Sequence, residues 1–151
     1  MPIAIALHAL AAVLWVGGMF FAYMVLRPSA APLEPPARLE LWHRVFSRFF
    51  PWVWASVAVL LASGFGMISL YFGGFAAVPP FVNIMMGLGL LMTALYIYLY
   101  FALWQRYQRA VAAKDWKDAG AKLGRIRHVV AVNLALGIAT VLIGAGGQFW
   151  G

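Results

Sequence analysis

A chain of 151 residues that is 65 % hydrophobic and only 10 % charged is not built for water, because a soluble domain carries about 25 % charged residues. Its length allows one domain, and the absence of cysteine excludes disulfides, thiolate metal sites and thiol catalysis. The net charge of +7 would suggest nucleic acid in a soluble protein, but all eleven Lys and Arg fall within positions 27–48 and 106–127, beside long apolar runs. That pattern reports membrane orientation and argues against a nucleic-acid partner.

The first apolar run covers 3–26. It lacks the basic start, short core and small-residue cleavage site of a signal peptide, so it reads as a membrane span. Positions 27–48 form a first polar connection. Its Ser29 to Pro36 stretch (SAAPLEPP) is too rich in proline to be helical throughout. Leu39, Trp42, Val45, Phe46 and Phe49 then recur at helical spacing among Arg38, Arg44 and Arg48, which predicts an interfacial amphipathic lead-in, kinked near Pro51. A second span covers 49–72, and Val78-Pro79-Pro80 breaks the chain before a third at 81–104. A second polar connection, 105–128, leads to the fourth span at 129–149.

Each run reaches the ~20 residues needed to cross ~30 Å of hydrocarbon, and in lipid such runs are helices because the backbone must satisfy its own polar groups. The expectation is a single all-α domain, 1–151: an integral membrane four-helix bundle in the lipid bilayer. Four basic residues lie in the first polar connection, seven in the second and none elsewhere. Positive residues stay in the cytoplasm, so the expected topology is N-out, C-out in an inner, cytoplasmic-type membrane.

None of the four acids lies in a span, which removes intramembrane carboxylate relays. The remaining chemistry rests on three histidines, seven methionines and Asn133. His8 sits about five residues into the first span, with Trp15 and nearly Gly18 on its face. Met67, Met85 and Met86 lie at a similar depth from the outer edge, and so does the small-residue run Gly144-Ala145-Gly146-Gly147. Imidazole and thioether are the soft neutral ligands suited to haem iron or Cu(I). His8 with Met86 is therefore the expected metal-ligating pair. A second set lies at the inner interface, where His43 and His128 neighbour Arg44, Arg48, Arg125 and Arg127. These arginines could hold haem propionates or the head group of a quinone or an anionic lipid. His8 and His128 lie near opposite faces and should not serve one metal. Asn133 is expected to hydrogen-bond between helices.

The segment His8-Ala-Leu-Ala-Ala-Val-Leu-Trp15-Val-Gly-Gly18-Met-Phe-Phe resembles the copper-resistance-D (CopD) domain family and the related HemJ membrane proteins. Ser47-Arg48-Phe49 and Ser63-Gly64 add to the likeness. The resemblance implies a four-helix membrane protein whose first-span histidine binds b-type haem, or one linked to copper handling. HemJ is associated with oxidation of protoporphyrinogen IX. HemJ proteins carry an arginine soon after the glycine, where this chain has Met24, and a lysine early in the third span, where it has Met85-Met86.

The leading expectation is accordingly a haem b protein of membrane electron transfer, an oxidoreductase exchanging electrons with a quinone or a redox partner protein. His8 and Met86 would ligate the haem, Trp15 and Gly18 would shape its pocket, and His128 and Arg127 offer the inner alternative. Copper transport or homeostasis through the His8, Met67, Met85 and Met86 layer is the first alternative. A non-catalytic assembly subunit, homo-oligomeric through its small-residue faces, is the second.

Overall fold

A computed structural model describes residues 1–150. Four helices, each long and apolar enough to cross a membrane, account for nearly all of them: α1 (Pro2–Ala30), α2 (Pro35–Leu70), α3 (Pro80–Ala112) and α4 (Trp116–Phe149). There is no strand among the described residues. The fold is thus the all-α membrane four-helix bundle expected from the apolar runs.

Local sequence explains where the helices begin. Pro2, Pro35 and Pro80 each occupy a first helical position, where a missing N–H costs nothing and the fixed φ is already helical. Asp115 caps α4 by accepting a hydrogen bond from the Asp118 N–H at 3.2 Å, which satisfies one orphan donor of the first turn. The tight reversal before it needs Lys114 at a φ of 56°. Gly73 and Gly74, both at positive φ, turn the chain between α2 and α3 in a backbone region where side chains are strained.

The helices are longer than the apolar runs. The two stretches read as polar connections are mostly helical: α1 continues to Ala30, α2 begins at Pro35, and the link between α3 and α4 shrinks to the few residues after Ala112. Proline at the start of a helix initiates it, so SAAPLEPP stops one helix and starts the next within a few residues. The Leu39, Trp42 and Phe46 stripe is buried in the bundle and collinear with the second span. It is core of the protein, where the spacing alone suggested a membrane-surface helix. Pro51 lies inside this unbroken helix, where it removes the backbone bond to Ser47.

At 1.5 Å per residue α2 is about 54 Å long, against ~30 Å of hydrocarbon. The bundle therefore extends well beyond the bilayer at the end that carries the basic residues (the basic end). The opposite, terminal end holds both chain termini. α1 pairs most closely with α2 and α3 with α4, while α1 against α4 joins the two pairs. An aromatic cluster welds α2 to α3: Phe46 stacks on Phe50 at 5.0 Å, Trp104 meets Phe50 edge-on at 5.0 Å, and Trp54 meets Tyr96 at 4.9 Å. Tyr96 and Tyr107 donate their hydroxyls to the Phe50 and Leu39 carbonyls of α2. Elsewhere the helices are sparsely covered. Only 17 % of the most apolar window of α1 is buried, so most of its apolar surface faces outward, which lipid tolerates and water does not.

Candidate functional site

Near the terminal end, α1, α2 and α3 bring three chemically distinct groups to one place. His8, half-buried on α1, makes a 2.8 Å hydrogen bond from Nδ1 to the Ser63 hydroxyl of α2. Ser63 Oγ in turn lies 2.6 Å from the Val59 carbonyl. A carbonyl can only accept, so the single hydroxyl proton goes to Val59, and Ser63 accepts from His8. Nδ1 thus carries the imidazole proton, and Nε2 is left with its lone pair. Fixing one ring nitrogen through a hydrogen bond is what orients the other toward a metal.

The glycine after Ser63 defines what lies beside that ring. A methyl carbon built on Gly64 would stand 3.6 Å from His8 Cε1 and 3.4 Å from Met86 Cε. The tips of the imidazole and the thioether therefore both face Gly64, and their separation cannot exceed the sum of those distances. Gly64 is buried, and its missing side chain is the space they converge on. Met67 follows Gly64 by three residues, so it occupies the same face of α2. Met85 turns the other way: its Sδ would stand 3.2 Å from a methyl carbon on Gly144 of α4.

The remaining expected residues separate from this pair. Trp15 is buried and packs edge-on against Tyr96 at 6.2 Å. Gly18 is in contact with the Phe49 ring, since a methyl carbon there would come within 2.3 Å of Phe49 Cε1. Gly18 thus packs against that phenyl group. Asn133 is buried and donates to the Met92 carbonyl at 3.1 Å, tying α4 to α3, while its Oδ1 has no partner among the described residues.

His43 stacks on Trp104 with ring centroids 5.4 Å apart. His128 is exposed and lines a cavity of about 450 Å³ with Arg125 and Arg127. Arg127 also borders a second cavity with Arg27 and Arg38. Positions 8 and 27 of α1 are about 28 Å apart at 1.5 Å per residue, so His8 and the Arg127 region belong to different ends of the bundle. Among the described residues no three His, Asp or Glu side chains gather as a metal site.

Ser63 is the residue of the candidate site that the sequence pattern does not mark. It stood out only as half of the Ser63-Gly64 pair, and nothing in its spacing discloses a hydrogen bond across 55 positions to His8.

A family model described as copper resistance protein D matches residues 43–146. The matched range begins after α1, so it does not include His8. No curated protein and no solved structure matches.

Proposed function

The chain belongs to the copper resistance protein D family, and from that premise we propose that it handles copper as cargo, taking Cu(I) on His8 Nε2 and Met86 Sδ. The observation that carries the reading is the convergence of these two side chains on Gly64. Imidazole and thioether are soft neutral donors, the chemistry that selects Cu(I). Met67 on the same face of α2 is available as a third donor. Two or three neutral ligands leave the charge of the ion uncompensated in a medium of low dielectric. Such a site holds copper loosely enough to release it, which suits transfer better than permanent storage.

The family description favours copper over haem electron transfer, and the Phe49 ring beside Gly18 works against a macrocycle there. We read the basic end as cytoplasmic, because positive residues stay inside. The His8/Met86 layer then faces the outer side of an inner membrane.

One preparation tests the proposal. Purified protein is titrated with Cu(I) against a chromophoric chelator, and its absorption spectrum is recorded without added metal. The expected result is one Cu(I) per chain, lost in His8→Ala and weakened in Met86→Leu, with no Soret band. Copper binding unchanged in both variants, or a Soret band that His8→Ala abolishes, would overturn it.

A further inference from the structure

At the basic end, α1, α2 and α4 line a cavity of about 420 Å³ whose wall includes Arg27, Arg38 and Arg127. The rest of its wall is apolar or aromatic, including Ala22, Leu39, Trp42, Phe46 and Val130. None of the four acids of the chain lines it, and none of the three arginines forms an ion pair among the described residues. Three positive side chains thus border one cavity whose lining holds no carboxylate, a balance that an anion would complete.

Two of the arginines are also held in place. Arg27 donates Nε to the Tyr23 carbonyl at 3.2 Å, and its guanidinium lies 4.4 Å from the centre of the Tyr23 ring. Neither of its terminal nitrogens has a hydrogen-bond partner among the described residues. Arg38 donates Nη1 to the Leu33 carbonyl at 3.2 Å, which leaves Nη2 and Nε. Arg127 makes no hydrogen bond from its side chain among the described residues. Anchored guanidiniums with unused N–H groups are pre-organised for a tetrahedral oxyanion, which can accept from several forks at once.

The cavity also has a polarity gradient. Ala22 and Val130 lie within the apolar runs of α1 and α4, and Arg27 and Arg127 lie one or two residues beyond those runs.

We propose that this cavity binds a phosphate ester, its phosphoryl oxygens on Arg27, Arg38 and Arg127 and its apolar portion against Trp42 and Phe46. The anionic head group of a phospholipid and a soluble phosphate present the same chemistry to the arginines, and the experiment separates them. The site is independent of the copper layer at the other end of the bundle.

The test compares three forms of the full chain in detergent micelles: wild type, the cavity variant Arg27→Gln/Arg38→Gln/Arg127→Gln, and the control Arg44→Gln/Arg106→Gln/Arg109→Gln. The control removes equal charge from exposed positions outside the cavity. Retention of phosphatidylglycerol against phosphatidylcholine is read by native mass spectrometry. The wild type and control are expected to favour phosphatidylglycerol about tenfold, and the cavity variant to lose the preference. In the second arm, unfolding temperature is followed with inorganic phosphate against chloride at equal ionic strength. Protection by phosphate in wild type and control only, without a lipid preference, assigns the site to a soluble phosphate. Loss of the effect in the control as well, or no effect in either arm, overturns the proposal. Should the triple cavity variant fail to fold, the three single variants carry the same comparison, each expected to lose part of the preference.

Discussion

Ser63→Ala isolates the hydrogen bond that determines which nitrogen of His8 is free. In the wild type the Ser63 hydroxyl donates to Val59 at 2.6 Å and accepts from His8 Nδ1 at 2.8 Å. The alanine removes that acceptor without touching His8, Met86 or Gly64. The direct loss is one neutral hydrogen bond, about 1 kcal/mol, or about fivefold in affinity. Beyond that, the imidazole is free to rotate and to place its proton on Nε2, where it blocks the metal. Removing the hydrogen-bond partner of a ligating histidine typically costs 10–100-fold in metal affinity, and Ser63→Ala is expected within that range for Cu(I). Ser63→Thr keeps the hydroxyl and should stay near wild type. The assay is Cu(I) competition against a chromophoric chelator, with unfolding temperature recorded in parallel to show that the bundle is intact. Wild-type affinity in Ser63→Ala, alongside lost binding in His8→Ala, would refute the tautomer argument while leaving the ligand in place.

Three further outcomes test the fold. Gly18→Ala forces a methyl group into the Phe49 ring, whose Cε1 would lie 2.3 Å away. It should cost about 1–3 kcal/mol, read as a lower unfolding temperature in detergent, with Phe49→Leu restoring part of the loss. Tyr107→Phe removes the hydroxyl that donates to the Leu39 carbonyl. A loss of about 0.5–1.5 kcal/mol is expected, toward the lower end because that carbonyl also faces its own helix. For the orientation, reporter enzymes fused at the C-terminus should be active only when they function outside the cytoplasm. Activity of a cytoplasm-dependent reporter there would reverse the assignment.

Much of this architecture is legible in the sequence, and the reason is physical. Lipid imposes two demands that a single sequence displays openly: apolar runs of spanning length, and the segregation of positive charge. Four runs and two basic stretches were therefore enough for the bundle. What failed to show was how the polar stretches fold, because proline carries opposite meanings at a helix start and in its middle. Pro35 initiates α2 where SAAPLEPP suggested a broken connection. The amphipathic stripe of Leu39, Trp42 and Phe46 has the same spacing whether it lies on a membrane or against α3. Only the partner aromatics, Trp104 and Tyr107, decide for the latter. The pairing of His8 with Met86 rested on comparing depths along helices. Their shared neighbour Gly64 could not be found that way, because depth leaves the rotation of a helix about its axis undetermined.

The packing beneath the candidate site bears on how copper would move. Trp15, about 10 Å deeper than His8 along α1, is 3 % exposed, and Met19, Phe50 and Tyr96 are buried at 2–4 % around the same axis. The hydroxyl of Tyr96 is already committed to the Phe50 carbonyl, and Asn133 offers its amide to Met92. A cation leaving His8 toward the basic end would find aromatic rings in contact, with only the buried Met19 and Met92 thioethers to replace the ligands it gives up. Desolvating an ion with so few substitute ligands costs far more than a few contacts return. On our reading, then, this arrangement accepts and returns copper at the terminal end. Passage across the bundle would require the Trp15–Tyr96–Phe50 packing to open, and enlarging that gap with Trp15→Ala should raise copper movement across a vesicle membrane if such passage occurs. Unchanged flux in that variant, with Cu(I) binding intact, would favour exchange on one side of the membrane.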